Sequence, residues 1–216
     1  MTNVNYDYIE NYIRSLIIEK DKNLKSLRKY AEEKHIPIVE EETEALIKFL
    51  IALQRPKKIL ELGTAIGYSA ISFAMASKAI EKIVTVEINE DMYKLAKKNI
   101  KAAKLESLID IYLEDAYIFL NKTRDNFDLI FIDAAKGQYE NYFYEAKDHL
   151  NKDGIIICDN VLFKGMIAND DLVKKRKNTI VRRLREFLEK IEKDDKFISS
   201  IVPIGDGVLL VRRVNE

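Results

Sequence analysis

Five short apolar runs, KKILEL, KIVTVEI, LIDIYL, FDLIFID and GIIICD, begin at residue 57 and alternate with amphipathic stretches of helical period. Continuous β-branched strands separated by crossover helices describe a parallel sheet covered on both faces, because a strand buried on both sides needs no polar alternation. Two more strand-like runs, Ile198 to Pro203 and Val208 to Arg213, flank the turn-rich IGDG. They read as an antiparallel hairpin closing one sheet edge.

Before residue 57 the period is helical. Tyr8, Ile9, Tyr12, Ile13 and Leu16 form one set, Leu24, Leu27, Tyr30 and Ala31 a second, and Leu46, Phe49 and Leu50 a third, with Pro37 in HIPIV breaking the chain between the last two. The expected fold is therefore α/β: a Rossmann-like, doubly wound, mostly parallel seven-stranded sheet with a C-terminal antiparallel hairpin and N-terminal helices. No repeat, low-complexity tract or Gly/Ser linker interrupts the 216 residues. The expectation is one domain, 1–216, made of a helical extension (1–55) and a Rossmann-like core (56–216).

Lys+Arg and Asp+Glu are both 36, so a surface uniformly positive for nucleic acid is excluded and only a local basic patch remains open. The single cysteine, Cys158, excludes an intrachain disulfide and a Cys-based zinc site. It ends an apolar run with no histidine beside it and reads as a small buried residue. The start, MTNVNYDYIENYIRS, lacks the basic-then-apolar order of a signal peptide, and no apolar run approaches the roughly 20 residues of a membrane span. A cytoplasmic protein without a membrane partner is expected.

The first strand-to-helix turn, ILELGTAIGYSA, is where a doubly wound sheet binds its cofactor. Its glycines, Gly63 and Gly67, are spaced G-x-x-x-G, with Ala65 where a nicotinamide fingerprint has its second glycine, and no Gly-Lys-Ser/Thr follows. Neither a pyrophosphate nor a P-loop phosphate is expected there. Glu87 ends the second strand, where a carboxylate can accept ribose hydroxyls. Asp115 and Ala116 end the third, within reach of an adenine edge. The competing reading makes Glu87 a solvated residue and Glu114-Asp115 a helix cap. Ribose and adenine without pyrophosphate indicate S-adenosylmethionine, whose sulfonium and amino group favour carboxylates such as Glu61.

The fourth strand ends FIDAAKGQ and the fifth IIICDN. Parallel neighbours would bring Asp133, Asp159 and Asn160 to the same rim, an oxygen-only set suited to Mg²⁺. Asp133 is expected to serve the cofactor wall as well. Lys136, three residues on, is the candidate general base, and the cation would stabilise the oxyanion of a deprotonated hydroxyl. His35 and His149 are expected to do no chemistry.

These stretches, with FIDAAKGQYENYFYEA and CDNVLFKGMIA, resemble the cation-dependent, S-adenosylmethionine-dependent O-methyltransferases of the catechol and caffeoyl-CoA type. The likeness runs from HIPIVEEE to PIGDG. It implies that Asp133, Asp159 and Asn160 hold Mg²⁺, that Val39, Ser69, Glu87, Asp115 and Ala116 line the cofactor, and that Lys136 is the base. Within that family GTAIGYSAI, IDAAKGQY and DNVLFKG are most similar to the branch that methylates 5-hydroxyuridine in bacterial tRNA.

That branch sets the leading expectation: methylation of the wobble 5-hydroxyuridine of tRNA to 5-methoxyuridine. Catechol and 5-hydroxyuracil both offer two oxygens on adjacent ring carbons, so a small catechol-like acceptor is the alternative, and a non-catalytic RNA-binding module the third reading. The segment KKRKNTIVRRLR has seven basic residues and no acidic one. Lys174, Lys175, Arg176, Lys177, Arg182 and Arg183 are its candidate contacts to the anticodon stem-loop, although the same segment also reads as one charged face of an amphipathic helix. Tyr139, Tyr142, Phe143 and Tyr144 are either a stacking surface for a flipped base or core. The apolar N-terminal helices and the family likeness together predict a homodimer.

Overall fold

The computed structural model describes residues 4–214. The outermost residues of the expected 1–216 unit, including the first three of the segment read for a signal peptide, lie outside the described residues. Three helices lead: α1 (Asp7–Leu16), α2 (Lys22–Lys34) and α3 (Glu41–Gln54). Then strands and helices alternate: β1 (Lys58–Leu62), α4 (Tyr68–Ala76), β2 (Lys82–Glu87), α5 (Glu90–Ala102), β3 (Ile109–Leu113), α6 (Ala116–Lys122), β4 (Phe127–Ile132), α7 (Tyr139–Ala146), β5 (Leu150–Cys158), α8 (Asn178–Lys193), β6 (Phe197–Val202) and β7 (Val208–Arg213). The sheet order is β3-β2-β1-β4-β5-β7-β6, parallel throughout except where β7 pairs antiparallel with β5 and β6. This is the expected doubly wound architecture with its closing hairpin.

Strand parity divides the interior into two cores. Leu60, Leu62, Val84, Val86, Ile130, Ile132, Ile156 and Cys158 face the layer containing α6, α7 and α8, while Ile59, Ile83, Leu129, Phe131 and Ile157 face that of α2 to α5. Alternation of this kind follows from the two-residue period of a strand, and both faces are apolar because both are covered. In α8, Val181, Leu184, Phe187 and Ile191 form the buried stripe, which leaves the charged face to solvent.

Local signals set the helix boundaries. Asp21 caps α2 by accepting from the Asn23 and Leu24 amides, Asn89 caps α5 through Asp91 and Met92, and Asp115 caps α6 through Tyr117 and Ile118; each satisfies donors that lack a partner at a helix start. The extension joins the body through α2 and α3, which bury Leu24, Ala31, Ile47 and Ile51. The apolar set of α1 is different: Tyr8, Tyr12 and Leu16 are exposed, and the helix is seated by charge instead, Arg14 donating to both Glu42 carboxylate oxygens at 2.7 and 2.8 Å. Among the described residues no helix is long and apolar enough to cross a membrane.

Of the α7 aromatics, Tyr139, Tyr142 and Phe143 are buried, and Phe143 packs edge-on against Phe187 and Phe197. Tyr139 and Phe143 are core, and Tyr142, though buried, also borders the cleft at the strand ends, so these three form no exposed stacking surface for a base.

Candidate active site

Register places the site. Leu62 pairs with Val86 and Ile132, and Ile132 with Cys158, so the next residue of each strand, Gly63, Glu87, Asp133 and Asp159, stands at one level. The ladder extends over them: the Gly63 amide donates to Val86, Asp133 to Leu62 and Asp159 to Ile132 at 2.9 to 3.0 Å. They open onto a cleft of about 1100 Å³ whose lining includes Gly63, Glu87, Asp115, Ala116, Asp133, Lys136, Asp159 and Asn160.

On the β1–β3 side, the G-x-x-x-G turn needs its glycines for two distinct reasons. Gly63 has φ +100°, and a Cβ there would lie 2.0 Å from the Asp133 carbonyl oxygen; only glycine lets the ends of β1 and β4 meet. Gly67 has φ +81° and backs onto Ala96, away from the cleft lining, so its role is to start α4. Ala65, also left-handed at φ 46°, points its N–H at the Glu87 carboxylate at 2.8 Å, and the Asn89 N–H donates to the other Glu87 oxygen at 2.8 Å. Glu87 is thereby held at the cleft wall with lone pairs remaining for hydroxyl donors.

Glu61 lies behind this wall. Strand parity turns it away from Leu60 and Leu62, and it accepts from Thr85 Oγ1 at 2.5 Å and from the Ser69 hydroxyl. Burial, reinforced by repulsion from Asp133 and Glu87, pushes its carboxyl up to about 8. Neither Glu61 nor Ser69 lines the cleft; together they brace the turn. Val39 is also set back, its carbonyl accepting from Arg28 at 3.1 Å, while its neighbours Ile38 and Glu40 reach the lining. Asp115 is both cap and cleft wall, so the two readings of it coexist.

Across the cleft, burial drives the Asp133 and Asp159 carboxyls upward, and Asp159 is raised further by repulsion from Asp133. Asn160 takes a left-handed φ of 55°, its N–H donating to Asp159 Oδ1 at 2.7 Å and its amide oxygen accepting from Lys136 Nζ at 2.9 Å. The Tyr139 hydroxyl supports the turn by donating to the Asp159 carbonyl at 2.8 Å. The four residues expected to form the chemical cluster are thus brought together. The metal expectation is narrowed, however: among the described residues no group of three or more His, Cys, Asp or Glu is arranged to hold an ion, leaving two carboxylates and an amide.

The candidate RNA contacts are all exposed but differently engaged. Lys174 and Lys177 turn to the cleft, Arg182 pairs with Glu186 at 2.9 Å, and Arg183 donates to the Gly137 carbonyl at 3.1 Å. Lys175 and Arg176 are exposed and outside the lining. Sequence reasoning missed Glu10 and Arg14 of α1, Phe163, Lys164 and Met166 after β5, and Asp206, all of which line the cleft. Asp206 was within reach, because a strand antiparallel to β5 must begin at the rim where β5 ends. Cys158 is fully buried, its thiol pushed up by desolvation. His149 is bound to the Asp125 and Leu120 carbonyls away from the cleft.

A protein-family model described as O-methyltransferase matches residues 14–214. The caffeoyl-CoA O-methyltransferase of Stellaria longipes is 30% identical over 212 residues, 93% of this chain and 87% of that one; caffeoyl-CoA O-methyltransferase 1 of Zea mays is 32% identical over 178 residues, 78% and 68%. Among solved structures, a Staphylococcus aureus protein provisionally assigned as a caffeoyl-CoA O-methyltransferase superposes with TM-score 0.89 at 33% identity, covering 96% of this chain and 100% of that one. An O-methyltransferase of Bacillus cereus in complex with SAH gives 0.83 at 25%, covering 99% and 100%.

These relatives overturn the expectation of a tRNA 5-hydroxyuridine methyltransferase, and with it tRNA processing and the non-catalytic RNA module. The physical reason is local: the basic residues are divided between cleft, ion pair and backbone bond, and the α7 aromatics are buried or partly buried. With the strand-end rim and the family match in agreement, the chain belongs to the O-methyltransferase family, alongside its caffeoyl-CoA O-methyltransferases.

Proposed function

We propose that this chain transfers the methyl group of S-adenosylmethionine to one hydroxyl of a small vicinal diphenol of the catechol or caffeoyl class. One observation carries the reading: Glu87, suited to ribose hydroxyls, and the Asp133–Asp159–Asn160–Lys136 cluster share one cleft at the ends of adjacent parallel strands. The relatives named above support the acceptor class.

When bound, S-adenosylmethionine would supply a methyl carbon activated by its sulfonium, the sulfur becoming a neutral thioether as the methyl passes to the acceptor oxygen. Glu87, Asp115 and Ala116 are the residues that would hold its ribose and base, and the Glu61–Ser69 and Glu61–Thr85 bonds keep the turn rigid. Lys136 is the candidate to take the acceptor hydroxyl proton, which it would do from its neutral form, and Asp133 and Asp159, which both interact with it, would stabilise the ammonium that results.

The residues also fit a hard divalent cation such as Mg²⁺. Two mutually repelling carboxylates in a desolvated rim beside an amide oxygen form a donor set that a cation would relieve. When bound there by Asp133, Asp159 and Asn160, the ion would supply Lewis-acid stabilisation of the acceptor oxyanion. Calorimetric titration with MgCl₂ should give saturable heat that disappears in Asp159→Asn; no heat with the unaltered chain would remove the cation from this reading.

Lys164, Lys174 and Lys177 at the mouth suit an acceptor with an acidic tail. The extension (1–55) and core (56–216) act as one domain in this reading, supported by bonds that cross between them: Tyr68 donates its hydroxyl to Glu44 at 2.9 Å, and Gln54 donates to the Asp153 carbonyl at 2.8 Å. A homodimer is favoured by the exposed Tyr8, Tyr12, Leu16, Phe49 and Leu53, and light scattering giving a monomer mass would overturn it. The activity test incubates purified protein with S-adenosylmethionine, Mg²⁺ and either catechol, caffeic acid or caffeoyl-CoA. Mass spectrometry should find a monomethylated product and matching S-adenosylhomocysteine; no product from any of the three would refute the acceptor class.

A further inference from the structure

The cleft wall that follows β5 is built from backbone that side chains seldom adopt. Asn160, Phe163 and Lys164 have φ of 55°, 48° and 57°, and Gly165 follows at 74°. Non-glycine residues persist in the left-handed region where surrounding contacts over-determine them. Here those contacts come from the turn between β6 and β7, far along the chain. The Val161 N–H donates to the Gly207 carbonyl at 2.9 Å and the Leu162 N–H to the Asp206 carbonyl at 3.0 Å. The Asp206 carboxylate then accepts from the Lys164 N–H.

The two segments lie flush: a Cβ on Gly207 would stand 2.3 Å from Leu162 Cγ. On the opposite side Arg185 donates to the Ile167 and Met166 carbonyls at 2.9 and 3.1 Å, so the loop is gripped at both ends. Asp206 itself is 7% exposed and lines the same cleft as Asn160, Phe163, Lys164 and Met166. Two of the turn's three links to the loop, the Leu162 bond to Asp206 and the Val161 bond to Gly207, are made by backbone and survive a change of side chain. The third, to Lys164, is made by the carboxylate alone, and it falls at the centre of the left-handed run.

We propose that Asp206 is a positioning residue for the acceptor: by holding the Lys164 N–H it fixes the 160–166 loop in the conformation that presents Asn160, Phe163 and Met166 to the cleft. It acts through that loop and takes no part in bond making. The proposal rests on the methyl-transfer reading only for its kinetic arm, and a second arm is independent of activity.

The test compares Asp206→Ala, which removes the acceptor of the Lys164 bond, with Asp206→Asn, which keeps an oxygen there. Hydrogen exchange on the full chain should show the Lys164 amide exchanging about tenfold faster in the alanine variant, while Val161 and Leu162, bonded to backbone carbonyls, change by less than about threefold. With caffeic acid as acceptor, KM should rise about tenfold in the alanine variant, the dissociation constant for S-adenosylhomocysteine should stay within about twofold, and asparagine should restore most of both losses. Unchanged Lys164 exchange in the alanine variant would overturn the proposal. So would equal loss of cofactor and acceptor binding, or an asparagine variant as impaired as alanine. If the unaltered chain turns over no diphenol, the functional reading fails, and the exchange measurement still decides the role of Asp206.

Discussion

The two halves of the cleft reach the same rim by different routes. The cofactor half is local: the turn from Gly63 to Ser69, Glu87 and the Asp115 cap belong to consecutive β-α-β units, and the bonds that set it, Ala65 to Glu87, Ser69 to Glu61 and Thr85 to Glu61, stay within neighbouring strands and turns. The acceptor half is assembled from afar. Asp133, Asp159 and Asn160 follow β4 and β5, and the β6–β7 turn supplies Asp206; α1 adds Glu10 and Arg14 to the cleft lining. A locally built half binds a part common to many reactions, whereas a half drawn from separated segments can vary piece by piece with the acceptor.

That division predicts separable defects. Asp159→Ala should produce the largest, a fall in kcat of about 10²- to 10³-fold, because it removes a charged group facing the reacting oxygen; initial rates at saturating cofactor measure it. Glu87→Ala should weaken S-adenosylhomocysteine binding by about 10- to 100-fold, with kcat at saturation little changed, since it removes ribose acceptors and releases two loop amides. If Glu87→Ala lowered kcat as severely as Asp159→Ala, the division would not hold.

Glu61 offers a sharper probe of the cofactor half through pH. Its carboxyl is raised from 4.5 to about 8, so the folded chain binds this proton more tightly than the unfolded one. The associated stability is fully present below about 4.5 and is lost as pH rises through about 8, an effect on the order of a few kcal/mol. Urea unfolding between pH 5 and 8.5 should show stability declining with pH, and Glu61→Gln should flatten the decline; an equally steep slope in that variant would exclude Glu61 as its source. The smallest expected effect is at the mouth. Replacing Lys174 and Lys177 by alanine should raise KM about threefold for caffeic acid at low salt and leave neutral catechol unchanged.

The same contrast explains what the sequence disclosed. The mostly parallel seven-stranded sheet followed from five apolar runs and a hairpin, and the expected cofactor turn from a glycine spacing and a carboxylate one strand later, all local signals. Strand-end logic also reached Asp133, Asp159, Asn160 and Lys136. It placed Glu61 near the cofactor without seeing that strand parity turns it to the opposite face from Leu60 and Leu62, into a buried cluster with Ser69 and Thr85. Asp206 and the α1 residues stayed hidden because their contacts join distant segments.

The basic run misled for a related reason. Its charges are adjacent in sequence, yet Arg182 pairs one helical turn on with Glu186, Arg183 holds a carbonyl, and only Lys174 and Lys177 of the candidate contacts meet the cleft. Likewise GTAIGYSAI, IDAAKGQY and DNVLFKG describe the shared methyl-transfer rim, and none of them reports on the acceptor.

The central claim is that cofactor binding and acceptor chemistry reside in separate walls of one cleft. Calorimetric binding of S-adenosylhomocysteine to Asp159→Asn and Glu87→Gln, measured side by side, tests it most directly. The account predicts that Asp159→Asn binds within about twofold of the unaltered chain while Glu87→Gln binds at least about tenfold more weakly. Equal weakening in both variants would contradict it.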